Sequence, residues 1–173
     1  DDDWPIWFNQ TGEKVVCTDI SADGNHFAGG NRAGMLHYFK RDFIMPFWSY
    51  VSDDFVGSIA ISEDDNYIAV ASQSFRLDLF HRNSGTPLWT YSEQGDFKSV
   101  DISADGQFIV AGNANKKIYL FSRNSSTPLW IYSAEDHVLS VSISADGRLI
   151  AAGTRDNKVY FFESSSNTPK WSY

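Results

Sequence analysis

The chain has 173 residues, 14 basic and 22 acidic side chains and a formal net charge of −8. It therefore lacks the basic field that a sequence-independent nucleic-acid binder sets against phosphate, and it is ill suited to an anionic membrane surface. No apolar run approaches the ~20 residues of a membrane-spanning helix, no signal peptide is visible, and with Cys17 as the one cysteine no disulfide can form within the chain.

The first residues read as a charged start followed by an orphan element. Asp1 to Asp3 form a short acidic run, and a chain that opens on Asp rather than Met reads as a processed product or an excerpt. Trp4–Asn9 (WPIWFN) then matches a Pro-x-Trp-x-Tyr segment that recurs later, with Asn9 standing where Tyr50, Tyr91, Tyr132 and Tyr173 stand. Gly12 to Lys14 supply a turn before the next hydrophobic run.

From there the sequence repeats. Prolines fall at Pro5, Pro46, Pro87, Pro128 and Pro169, steps of 41 residues, and Trp7, Trp48, Trp89, Trp130 and Trp171 follow in the same phase. Asp23, Asp64, Asp105 and Asp146 keep the step, as do Phe39, Phe80, Phe121 and Phe162. Aligned without gaps, Pro87–Thr127 and Pro128–Thr168 share 20 of 41 positions, which is tandem duplication. A fixed period of roughly 40 residues marks solenoids or propellers.

Each copy resolves into four short strands, most plainly in the third. Phe97–Ser103 alternates Val100 and Ile102 with polar residues at the period of two. Phe108–Gly112 is apolar on both faces, as a central strand is, and Lys117–Phe121 follows. Pro128–Ser133 opens on a proline that cannot donate to a ladder, so it belongs at the outer edge. Between the first and second strands lies Ser-Ala-Asp-Gly, at Ser21–Gly24, Ser103–Gly106 and Ser144–Gly147, with Ser62–Asp65 (SEDD) divergent. Asp accepts local backbone bonds and Gly takes positive φ, so the motif reads as a tight hairpin. The rival, a calcium loop, needs six or more oxygens, and only one acid per loop is constant. Cys17 stands where Ser58, Ser99 and Ser140 stand and reads as a small strand residue.

Four-stranded units of this length suit the blades of a β-propeller, whose short sheets pack face to face around an axis. The tryptophans on the outer strands then read as packing between blades, with a sugar or quinone platform as the rival. The pattern V-x-I-S-A-D-G-x-x-I-A-A-G, as in Val141–Gly153, resembles the WD-repeat propellers and the related pyrroloquinoline-quinone-type propeller repeats of prokaryotic proteins. That resemblance implies an all-β fold, commonly seven or eight blades per ring, with first strands lining a central channel and loops on the two faces doing the binding. The chain departs from the WD pattern where Phe39-Lys40, Phe80-His81, Phe121-Ser122 and Phe162-Glu163 replace Trp-Asp. The repeat boundaries fall at about 15–50, 56–92, 97–133 and 138–173, with Trp4–Asn9 as an orphan outer strand. Such an array is expected to form part of a larger ring, completed by a second chain or by further sequence, with closure of four blades alone the least favoured.

Function is expected where copies differ. The segments before each first strand read Ser52-Asp53-Asp54-Phe55, Glu93-Gln94-Gly95-Asp96 and Ala134-Glu135-Asp136-His137, an acidic rim. The loops between second and third strands vary as Asn31-Arg32-Ala33-Gly34, Ser72-Gln73-Ser74-Phe75, Asn113-Ala114-Asn115-Lys116 and Thr154-Arg155-Asp156-Asn157. Partner contacts are expected from Arg32, Asp53, Asp54, Phe55, Phe75, Asp96, Asp136, His137 and Arg155. His26, His37, His81 and His137 occupy four different phases, and no phosphate loop, zinc spacing or nucleophile elbow appears. No catalytic residue, cofactor or metal site is expected. The sequence thus reads as a non-enzymatic scaffold binding a protein or glycan, with a structural array or a quinone- or metal-dependent enzyme domain as alternatives. Two sequons, at Asn9 and Asn124, point to an extracellular or cell-envelope setting, with a cytoplasmic one as the alternative.

Overall fold

The computed structural model describes residues 8–173; most of the orphan segment Trp4–Asn9, Trp7 included, lies outside them. Every regular element among the described residues is a strand. Four antiparallel sheets of four strands follow one another, each ordered as the chain runs. Blade 1 holds β1 (Val15–Ile20), β2 (His26–Asn31), β3 (Met35–Lys40) and β4 (Trp48–Val51). Blade 2 holds β5 (Val56–Ile61), β6 (Tyr67–Ser72), β7 (Arg76–His81) and β8 (Trp89–Ser92). Blade 3 holds β9 (Phe97–Ile102), β10 (Phe108–Asn113), β11 (Lys117–Ser122) and β12 (Trp130–Ser133). Blade 4 holds β13 (Val138–Ile143), β14 (Leu149–Thr154), β15 (Val159–Glu163) and β16 (Trp171–Ser172). The fold is the β-propeller blade expected from the repeat.

The first strands form the inner wall: β5 packs on β1, β9 on β5 and β13 on β9. Each carries a β-bulge that the alternation alone does not reveal. The extra residue is Val16, Gly57, Lys98 or Leu139. A strict period of two would put Phe97 on the opposite face from Val100 and Ile102; the bulge restores all three to the face turned towards blade 2.

The hairpin motif behaves as the turn it was read to be. Asp23, Asp64, Asp105 and Asp146 each accept from the serine two positions earlier and from the backbone amide two positions later. Gly24, Gly106 and Gly147 sit at φ of 66 to 70°. In blade 2 the same place is held by Asp65 at φ 59°, a conformation that costs a residue with a Cβ roughly 1–2 kcal/mol.

Three apolar cores lie between blades. Between blades 2 and 3, Leu77 and Leu79 meet Phe97, Ile109, Tyr119 and Phe121, all buried. On the outer strands, Trp48 stacks on Phe80 of the following blade, and Trp89 and Trp130 lie tilted against Phe121 and Phe162, each at a ring centroid distance of 5.5 Å. Each indole N–H donates to a carbonyl of that blade, on Arg82, Arg123 and Ser164. The tryptophans are thus packing anchors between blades, and the phenylalanines standing in place of Trp-Asp are the surfaces they pack on.

Candidate interaction face

Backbone bonds bring the two variable loop sets to one face. The loop after each second strand donates to the segment before its own first strand: Gln73 to Phe55, Ala114 to Asp96 and Arg155 to His137. It also accepts from the segment leading to the next blade, where Ser52 donates to Gly34, Glu93 to Phe75 and Ala134 to Lys116. The face is therefore a continuous belt of loops hydrogen-bonded within and between blades.

The belt is not the acidic rim that the sequence suggests. Asp53 pairs with Arg76, Glu93 with Lys117 and Glu135 with Lys158, in each case an acid after one blade with a cation opening the third strand of the next. Asp96 pairs with Lys98. The Lys117 partner holds the Glu93 carboxyl below its usual range, and Glu135 raises Lys158. The first three of these ion pairs tie one blade to the next.

The expected contact residues divide accordingly. Arg32 lies over the Phe55 ring, 6.0 Å from its centroid, which joins two of them across blades 1 and 2. Asp54 and Asp136 cap the amides of Phe55 and His137, at 2.7 Å each. Arg155, Asp136 and His137 belong to the far end of the array, beyond blade 3, and are not gathered with Phe75. Phe75 is the exception among all of them. It is 47% exposed and sits at φ 64°. The same left-handed position is taken by Gly34, Lys116 and Asn157 in the other copies. For an aromatic residue this is a strained conformation.

The sequence reading missed two buried polar clusters between blades 1 and 2. Asp78, 1% exposed, stands where Tyr119 and Tyr160 stand in blades 3 and 4. It accepts from Thr90 and Arg76, and Arg76 also donates to Asp53 and to the Tyr50 hydroxyl. Burial pushes the Asp78 carboxyl up despite these donors. At the opposite edge, Asp65 accepts from the Tyr38 hydroxyl and Arg82 and lies against His26. Both stood out in the sequence only as departures, an Asp for a Tyr and an Asp for a Gly.

Asp23, His26 and Asp65 bring donor atoms within 4.8 Å of one another, a grouping that the repeat phases of the histidines did not suggest. Each carboxylate oxygen in it already has a partner: Ser21 and Asn25 on Asp23, and Tyr38, Arg82 and His26 on Asp65. The arrangement works as an ion-pair cluster. Cys17, expected to be a small strand residue, is half-buried, with its thiol pushed up to about 11 by burial and its Sγ directed at the Val56 carbonyl of blade 2.

No curated protein matches the chain. The family model of the WD domain, G-beta repeat, matches residues 85–122 and 126–163. Those segments span the end of blade 2, blade 3 and most of blade 4. Together with four successive four-stranded antiparallel sheets, the matches fit a WD-repeat β-propeller.

Proposed function

We propose that the protein is a non-enzymatic scaffold that binds a protein partner through the loop belt, with Phe75 as its apolar anchor. WD-repeat propellers are commonly protein-interaction scaffolds and generally non-enzymatic, and the belt supplies the chemistry for that role. The single observation that carries the reading is Phe75 itself. Phe75 is a half-exposed aromatic at the positive φ that Gly34, Lys116 and Asn157 take in the other copies, and backbone strain held by a bulky exposed side chain marks a candidate functional position. The same loop belt carries exposed Asp54 and the Arg32–Phe55 pair, so a partner offering an apolar pocket and a cation fits the surface. The test is capture of partners by immobilised wild-type chain and by Phe75→Asn, which keeps a residue tolerated at this φ. A protein retained by the first and lost by the second supports the reading; identical retention removes Phe75 from the site.

A second reading, a structural array joined through outer strands, draws on a row of half-exposed apolar residues, Phe47, Leu88 and Leu129, one beside each of the first three outer strands. Cross-linking between outer strands of separate chains separates it from the first. The exposed Asn124 in its sequon supports a cell-surface setting, tested by the mass lost on enzymatic deglycosylation.

A further inference from the structure

The turns between third and fourth strands lie on the face opposite the loop belt. Backbone bonds join each of them to the hairpin of its own blade, from Arg41 to Asn25, Arg82 to Asn66, Arg123 to Gln107 and Ser164 to Arg148. In three copies the turn is small and polar. Ser84, Ser125 and Ser166 accept at Oγ from the amides of Thr86, Thr127 and Thr168, at 3.0 to 3.1 Å. Blade 1 makes the same turn, with the Phe43 amide donating to the Lys40 carbonyl as Ser84 does to His81. Phe43 and Met45, however, stand in place of the serine and the threonine. The side-chain bond is given up, and two large apolar groups take its place in solvent. Phe43 is 62% and Met45 71% exposed, beside Phe47 at 46%.

These positions face solvent whatever precedes blade 1. Blades 2 and 3 each have a blade on either side, and there Thr86 and Thr127, in phase with Met45, are exposed. So are Leu88 and Leu129, in phase with Phe47, and Ser125, in phase with Phe43. Ile44 is not counted among them, because Gly85 in its phase lies against Ser49 and Trp48 of the preceding blade. A cation accompanies the change. Lys40 replaces His81, Ser122 and Glu163, and its Nζ lies 3.8 Å from the Phe47 ring centroid, at the base of the turn.

We propose that this turn inserts its tip into a zwitterionic lipid bilayer. Phe43 and Met45 enter the acyl boundary, and Lys40, its stem along Phe47, keeps its ammonium at the level of the headgroup phosphates. The extent of the change favours lipid over protein. A stable protein interface draws on about 20–30 residues a side, whereas the apolar replacement is confined to one turn and the turns beside it keep Ser-x-Thr. A bilayer needs no shaped pocket, since each apolar side chain gains by entering it. The net charge of −8 chooses the headgroup: an anionic surface repels the chain, while phosphocholine offers Lys40 a phosphate without net charge. The belt with Phe75, on the opposite face, is left accessible to a protein partner.

The test is sedimentation of the full chain with vesicles of phosphatidylcholine alone, for wild type, Phe43→Ser/Met45→Thr and Phe75→Asn. The double variant takes the side chains of the other turns, so it keeps its fold, checked by a urea midpoint no lower than that of wild type. The expected result is wild-type binding that the double variant weakens at least about tenfold, through loss of two inserted apolar side chains. Phe75→Asn should bind as wild type does. A wild type that stays in solution beside the vesicles overturns the proposal, as does equal binding by the double variant. Binding confined to anionic vesicles and abolished by salt overturns it as well.

Discussion

Two neighbouring interfaces of the molecule are built on one plan and held in different ways. Between blades 2 and 3, aliphatic Leu77 and Leu79 face Phe97, Tyr119 and Phe121, and the buried polar bond is Asn113 to the Tyr119 hydroxyl. Between blades 1 and 2 the same positions carry Tyr38 for Leu79, Asp78 for Tyr119 and Asp65 for the hairpin glycine, and two carboxylates are buried. The apolar interface is held by shape, and the one between blades 3 and 4 repeats it with Ile118, Leu120 and Val138. The charged one has no such repeat: Asp65 is held by Tyr38, Arg82 and His26, and Asp78 by Thr90 and by an Arg76 that also bonds Tyr50. Ion pairs of this kind add little net stability over an apolar contact but are costly to break one side at a time. Duplication gives the fold; divergence of single positions gives blade 1 a particular neighbour.

The largest effects test what the two interfaces share. Phe121→Ala and Phe80→Ala each remove a fully buried ring that a tryptophan packs on, and each is expected to cost ~3–5 kcal/mol in urea unfolding. A Phe80→Ala cost well below that of Phe121→Ala would mean that the charged interface carries less of the fold than the shared geometry indicates. Next in size, Asp65→Ala should cost about 2–3 kcal/mol, reduced from the usual range for a broken buried pair because Arg82 is partly solvated. Asp65→Gly should be milder by roughly 1 kcal/mol because it relieves the left-handed strain. Equal losses would show that the charge cluster alone sets the cost.

Smaller still are the pH dependences, which run in opposite directions. Burial raises the Asp78 carboxyl, so the folded chain holds that proton more tightly than the unfolded one. Its contribution is full below the ordinary carboxylate value and is lost as pH rises through the raised one. Asp23, held down to about 2 chiefly by the Asn25 amide and then by Ser21, contributes above its ordinary value and loses that contribution as pH falls towards 2. Urea midpoints measured from about pH 2 to 7 should show the falling limb flattened in Asp78→Asn and the acid limb flattened in Asp23→Asn. A Asp78→Asn profile parallel to wild type would contradict the assignment.

Much of this architecture was legible because the copies are in register. Proline, tryptophan and phenylalanine at steps of 41 fixed the strands and the order of the blades, and Ser-Ala-Asp-Gly fixed the hairpins. The bulges were not legible, since an extra residue in β9 breaks the very alternation by which the strand is recognised. Nor were the ion pairs of the rim, because Asp53 and Arg76 lie 23 residues apart in different blades. Asp65 and Asp78 were visible as departures, but their burial depends on Tyr38 and Tyr50, 27 and 26 residues from the groups they contact. Phe75 was singled out as variable; its positive φ is hinted at only by Gly34 and Asn157 in the same phase.

The most direct test of the account is therefore paired on one substitution, Phe75→Asn, with unfolding free energy and partner retention measured on the same preparation. The account predicts a chain more stable by about 1 kcal/mol, because backbone strain is relieved, together with loss of the retained partner. A chain made less stable would contradict it, since Phe75 would then be a packing residue of blade 2 rather than the anchor of a binding face.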